Sequence, residues 1–70
     1  MANTLYFHEL IRDQGGSTTV DLEFGRSSSY KEDSLYITVD DKLIIVDRET
    51  AKRIIKEMND VARYLKLLDE

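Results

Sequence analysis

The stretch LYITVDDKLIIVDRETAKRIIKEMNDVARYLKLL, Leu35 to Leu68, decides the fold. Its period changes once, at Asp47. Before that residue, Leu35, Ile37 and Val39 alternate with Tyr36 and Thr38, the period of two that marks a half-buried strand. Asp40-Asp41-Lys42 then makes a tight turn into Leu43–Val46. Two β-branched runs joined by a short polar turn predict a hairpin.

After Asp47 the spacing becomes helical. Ala51, Ile54, Ile55, Met58, Val61, Ala62, Leu65 and Leu68 recur at i, i+3, i+4 and i+7. No glycine or proline interrupts residues 48–68. Asp47 is placed to cap the first turn. Glu49–Arg53, Arg53–Glu57 and Lys56–Asp60 are opposite-charge pairs at i,i+4. A helix of this length runs about 30 Å. A six-residue strand spans only about 20 Å, so the helix should outrun the sheet.

Upstream, Val20, Leu22 and Phe24 alternate with Thr19, Asp21 and Glu23, a second strand signal. The tract Gly25–Ser34 is polar and aperiodic and reads as a surface loop. Residues 4–13 have two readings. One is a strand that turns at Gln14-Gly15-Gly16-Ser17; the other is a short helix capped by Asn3 or Thr4. The aromatic pair Tyr6-Phe7 and the strand that follows favour the first. The expectation is one α+β domain, residues 1–70, with a small antiparallel sheet and one long C-terminal amphipathic helix. The strands fall at about 4–12, 18–24, 34–40 and 43–47, and the helix at about 48–68. The expected core is Val20, Leu22, Phe24, Leu35, Ile37, Val39, two of Leu43–Val46, and Ala51, Ile54, Ile55, Met58, Val61, Ala62 and Leu65.

Composition narrows the function. The chain has 70 residues, one histidine (His8) and no cysteine. Disulfides and thiolate metal sites are excluded, and a lone histidine cannot make a zinc site. So short a domain buries about 60% of the surface that its unfolded chain exposes. Without disulfide or metal, oligomerisation is the usual remedy. The start of the chain carries no signal-like segment, and Leu43–Val46 is far too short to cross a bilayer, so a cytoplasmic protein is expected, with no membrane contact. Net charge is −4. Residues 1–47 carry four basic and nine acidic side chains, a balance of −5; residues 48–70 carry six basic and five acidic, a balance of +1. That sign disfavours nucleic acid as a partner.

No catalytic constellation is present. Ser27-Ser28-Ser29 lack a nucleophile elbow, and Gly15-Gly16 belong to no phosphate-binding pattern. Asp40-Asp41 supply too few oxygens for a hard cation. The expectation is therefore no enzyme, no cofactor and no metal. Arg48, Lys52, Lys56, Arg63 and Lys66 fall on one flank of the helix, which reads as a solvated or internally paired flank.

Two features point to a partner. Leu43–Val46 is apolar on both faces of its strand, although one face of a sheet under a single helix should be wet. Beyond Val61 the helix is apolar on nearly every side, with Leu67 opposite the main stripe. The candidate interface is Tyr36, Leu43, Ile44, Ile45, Val46, Tyr64, Leu67 and Leu68. The leading expectation is a self-associating protein-interaction module, a homodimer that also has scope to bind another protein. The alternative is an acidic decoy of the kind phages encode. Asp21, Glu23, Glu32, Asp33, Asp40 and Asp41 would then occupy a basic nucleic-acid-binding groove on another protein.

Overall fold

A computed structural model describes residues 3–68. Met1, Ala2, Asp69 and Glu70, which enter the expected domain and charge balance, lie outside the described residues. The chain forms β1 (Asn3–Arg12), β2 (Thr19–Ser27), β3 (Ser34–Val39), β4 (Lys42–Ile45) and α1 (Arg48–Leu65). The strands make one antiparallel sheet in chain order, β1-β2-β3-β4. The α+β arrangement is as the sequence predicts, and residues 3–12 are strand, not helix.

The register fixes the two faces, because residues directly opposite in an antiparallel pair share a face. Phe7, Phe24, Ile37 and Ile44 form one row across all four strands. Phe7 and Phe24 stack with centroids 5.0 Å apart. Leu22–Val39 and Val20–Ile11 extend this apolar face. The other face carries His8, Asp21, Glu23, Gly25, Tyr36, Thr38, Leu43 and Ile45.

The loop expected from Gly25 begins later, because Gly25, Arg26 and Ser27 continue β2 and pair on both sides. Gly25 has a specific reason to be glycine. A Cβ there would collide with the Thr4 carbonyl oxygen and come within 3.0 Å of the Tyr36 ring. Tyr36 sits opposite Gly25 and fills the space that the missing side chain leaves. The β1–β2 register slips between Leu5 and Phe7, so Tyr6 is the extra residue of a bulge beside this close approach. Tyr36 is 2% exposed, the only hydrophobic side chain among the described residues that is fully buried. The expectation that it points outward is corrected in this sense. It does lie on the face away from Leu35 and Ile37, but the gap above Gly25 buries it more deeply than either.

At the β3–β4 turn Asp40 takes φ 55°. Its amide donates to the Asp21 carbonyl at 2.7 Å, and its Oδ1 accepts from the Asp21 amide at 3.1 Å. The turn is thereby tied to β2. The helix starts as its cap predicts: Asp47 Oδ1 accepts from the Thr50 hydroxyl at 2.6 Å, and Oδ2 from the Thr50 amide at 3.4 Å. It ends at Leu65, three residues earlier than expected, because Lys66 turns left-handed at φ 59°. The Leu67 amide then donates to Ala62 O and the Lys66 amide to Arg63 O, a Schellman closure on a lysine.

The expected core does not close. Val20, Leu22, Phe24, Leu35 and Ile37 are only half-buried, and Val39 is exposed. On the helix, Ala51, Ile54 and Ala62 are half-buried, whereas Ile55, Met58, Val61 and Leu65 are exposed. The cause is the position of α1, which makes its main contacts with β3 and leaves the apolar face over β1 and β2 uncovered.

Two substitutions test these contacts. Gly25→Ala forces β1 away from Tyr36 and should cost about 3 kcal/mol in denaturant unfolding. Lys66→Gly removes left-handed strain and should raise stability by about 1 kcal/mol in the same assay.

Candidate functional site

The polar face of the sheet carries two cross-strand contacts. His8 Nε2 lies 2.8 Å from Asp21 Oδ1, with both side chains about half exposed. The Tyr36 hydroxyl donates to Glu23 Oε2 at 2.6 Å. That bond to a carboxylate, with burial second, raises the phenol above its ordinary pKa of 10.0. Among the described residues, no group of three or more histidine, aspartate or glutamate side chains is placed to hold a metal ion. Ser27 lies buried, its Oγ donating to Ser29 Oγ at 3.2 Å and accepting from the Ser29 amide at 3.3 Å. These serines are close to each other and far along the chain from His8. Gly15 and Gly16 shape the β1–β2 turn, where the Gly15 amide donates to Asp13 Oδ2 and the Gly16 amide to Asp13 O.

The acidic side chains of the alternative reading are spread out. Asp21 and Glu23 lie on the polar face, and Asp40 and Asp41 form the β3–β4 turn. Glu32 and Asp33 lie in the β2–β3 loop beside cations of the same chain. Asp33 accepts from Arg26 at 3.0 Å, and Glu32 lies 4.0 Å from Arg48. The basic flank of the helix is also engaged locally. Arg48 donates to Asp33 O at 2.9 Å, Lys52 sits 3.6 Å from Glu49, and Lys56 sits 3.2 Å from Asp60. The Asp60 carboxylate raises the Lys56 pKa.

The interface residues expected from sequence are divided. Leu43, Ile44, Tyr64, Leu67 and Leu68 are exposed. Ile45 and Val46 are half-buried. Tyr36 is enclosed and has no surface to offer. Leu43 lies on the polar face and Ile44 on the apolar face, so the exposed β4 side chains do not form one patch.

The larger apolar surface is one that sequence reasoning assigned to the core. Met58 is 65% exposed, Val61 51% and Leu65 55% on the helix; Ile44 is 57% exposed on the sheet. Between the helix and the sheet runs an open groove of about 690 Å³, lined by the apolar Phe24, Leu35, Ala51 and Ile55 and by the basic Arg26, Lys52 and Lys56. Tyr6, the extra residue of the bulge, also lines it. The signal available in the sequence was the mismatch in length between one helix and four strands. It showed that the helix outruns the sheet but not how much of the sheet stays bare.

The fold and this surface define a class: a four-stranded antiparallel sheet with one C-terminal helix and an open apolar face. No protein-family model matches the chain, and no match to it is found among curated proteins or solved structures.

Tyr36 gives a pH test. Its raised pKa means the folded state holds the phenolic proton more tightly than the unfolded one. The associated stability is complete below the ordinary value of 10.0 and is lost as pH rises through the higher folded value. Absorbance titration should show one tyrosine ionising late. Glu23→Gln should move that step back toward the ordinary value of 10.0.

Proposed function

We propose that the chain is a non-enzymatic protein-interaction module that works by self-association in the cytoplasm. One observation carries this reading. The accessible surface is 5987 Å² for an 8.1 kDa chain. A compact monomer of that mass exposes about 4,500 Å². The excess, about 1,500 Å², is the size of one partner's share of a permanent interface. The radius of gyration agrees, at 13.7 Å against about 11 Å for a compact chain of this length.

The chemistry of the excess surface also supports it. Met58, Val61, Leu65 and the row Phe7–Phe24–Ile37–Ile44 are aliphatic or aromatic, the residue types that bind by desolvation. The absence of cysteine and of any described helix long and apolar enough to cross a membrane suits a reducing, aqueous compartment. The acidic-decoy reading draws less support. Such a decoy needs a continuous anionic face, whereas Asp21 and Glu23 are held by His8 and Tyr36, and Glu32 and Asp33 sit beside Arg48 and Arg26.

Light scattering on a sizing column tests the proposal. The chain should run at twice 8.1 kDa or more at micromolar concentration. Val61→Asp places a charge in the proposed surface and should reduce the mass to that of one chain and lower the midpoint of unfolding. Replacing the exposed Glu49 by lysine should leave the mass unchanged. A wild-type chain that stays monomeric up to high micromolar concentration removes the proposal.

A further inference from the structure

We infer that the partner on the open sheet face is a second copy of this chain, and that the two copies exchange the C-terminal halves of their helices. Resting on the proposed self-association, the inference specifies which surface meets which. Three observations support it.

The first is complementary need. Each copy has an apolar sheet face that α1 covers chiefly at β3. Each also has a helix whose second half leaves Met58, Val61, Tyr64 and Leu65 exposed. What one copy lacks, the other presents. A two-fold axis satisfies both deficits at once, since a contact between helix and sheet is then made twice.

The second is area. Each chain exposes about 1,500 Å² more than a compact monomer, so a closed pair would bury about 3,000 Å² in total. That falls within the range of permanent homodimers. It is also more than a helix-to-helix seam of three turns would bury, and such a seam would leave the Phe7–Phe24 face open.

The third is charge. Residues 3–47 carry four basic and nine acidic side chains, a balance of −5; α1 carries five basic and three acidic, a balance of +2. Packing sheet on sheet brings two anionic bodies together, whereas the half-helix Met58–Leu65, with Asp60 and Arg63, carries no net charge. Helix on sheet therefore avoids the repulsion that a sheet-to-sheet pair would meet.

The chain has no cysteine, so every introduced thiol is unique. Val39→Cys places one on the open end of the sheet face, and Val61→Cys places one on the bare half of the helix. The two variants are mixed in equal amounts, unfolded together, refolded and oxidised. Exchange predicts that the mixed disulfide exceeds half of the linked product, the fraction that random pairing gives. Ile44→Cys with Leu65→Cys is a second pair, should the first fold poorly. A mixed disulfide above half of the linked product from either pair supports the arrangement.

A dimeric mass in which the Val61→Cys variant links only to itself indicates a helix seam. One in which the Val39→Cys variant links only to itself indicates a sheet-to-sheet pair. Either result overturns the exchange and leaves self-association standing. A dimer whose mixed disulfide stays at or below half of the linked product for both pairs also overturns it. A monomeric mass for the unmodified chain overturns both.

Discussion

The close approach of Tyr36 to Gly25 is the contact on which the sheet depends. Among the described residues it is the one place where a large hydrophobic side chain is fully enclosed, and it joins three strands. Gly25 gives up its side chain so that the Thr4 carbonyl can approach from β1 and the Tyr36 ring from β3. Tyr36 then directs its hydroxyl to Glu23, two residues back on β2. An aromatic ring laid over a strand glycine restores the packing that glycine forfeits and fixes the register at that point. The bulge at Tyr6 follows from the same contact, since β1 must bend where its backbone comes nearest. The bend also breaks the regular edge that a ten-residue outer strand would offer to other chains.

Much of this organisation is written in local patterns. The alternation of Val20–Phe24 and Leu35–Val39, the Asp40-Asp41 turn and the Asp47 cap all depend on neighbours within a few residues. The strands, the turn and the helix start appear where those patterns place them. The misreadings have non-local causes. Gly25-Arg26-Ser27 has a loop's composition and becomes strand because β1 and β3 both pair with it. Tyr36 alternates outward and is nonetheless enclosed, because the residue opposite it on β2 is the one without a side chain. Helix periodicity alone does not predict Lys66 in the left-handed region, since the pattern runs on to Leu68.

The candidate surface was legible in a different sense. Of the eight residues that the sequence offers as an interface, Leu43, Ile44, Tyr64, Leu67 and Leu68 are exposed, whereas Ile45 and Val46 are half-buried and Tyr36 is enclosed. Met58, Val61 and Leu65 were assigned to the core because they share the stripe with Ala51 and Ile54. An amphipathic stripe records that a face is to be buried; it does not record which chain provides the cover. Ala51 and Ile54 meet the chain's own sheet, and the same stripe continues past it into solvent.

That division has an energetic consequence. Burial of apolar area contributes about 25 cal/mol per Å². An uncovered face is therefore a large fraction of the stability available to so short a chain. With no disulfide and only one fully buried hydrophobic side chain among the described residues, the isolated fold has little to set against its conformational entropy. Association would supply what is missing, so folding and assembly should be one equilibrium. The midpoint of unfolding should then rise with protein concentration, as it does for dimers without a stable monomer. A midpoint independent of concentration would mean that the Tyr36–Gly25 contact and the half-buried row beneath the helix suffice to hold one chain alone.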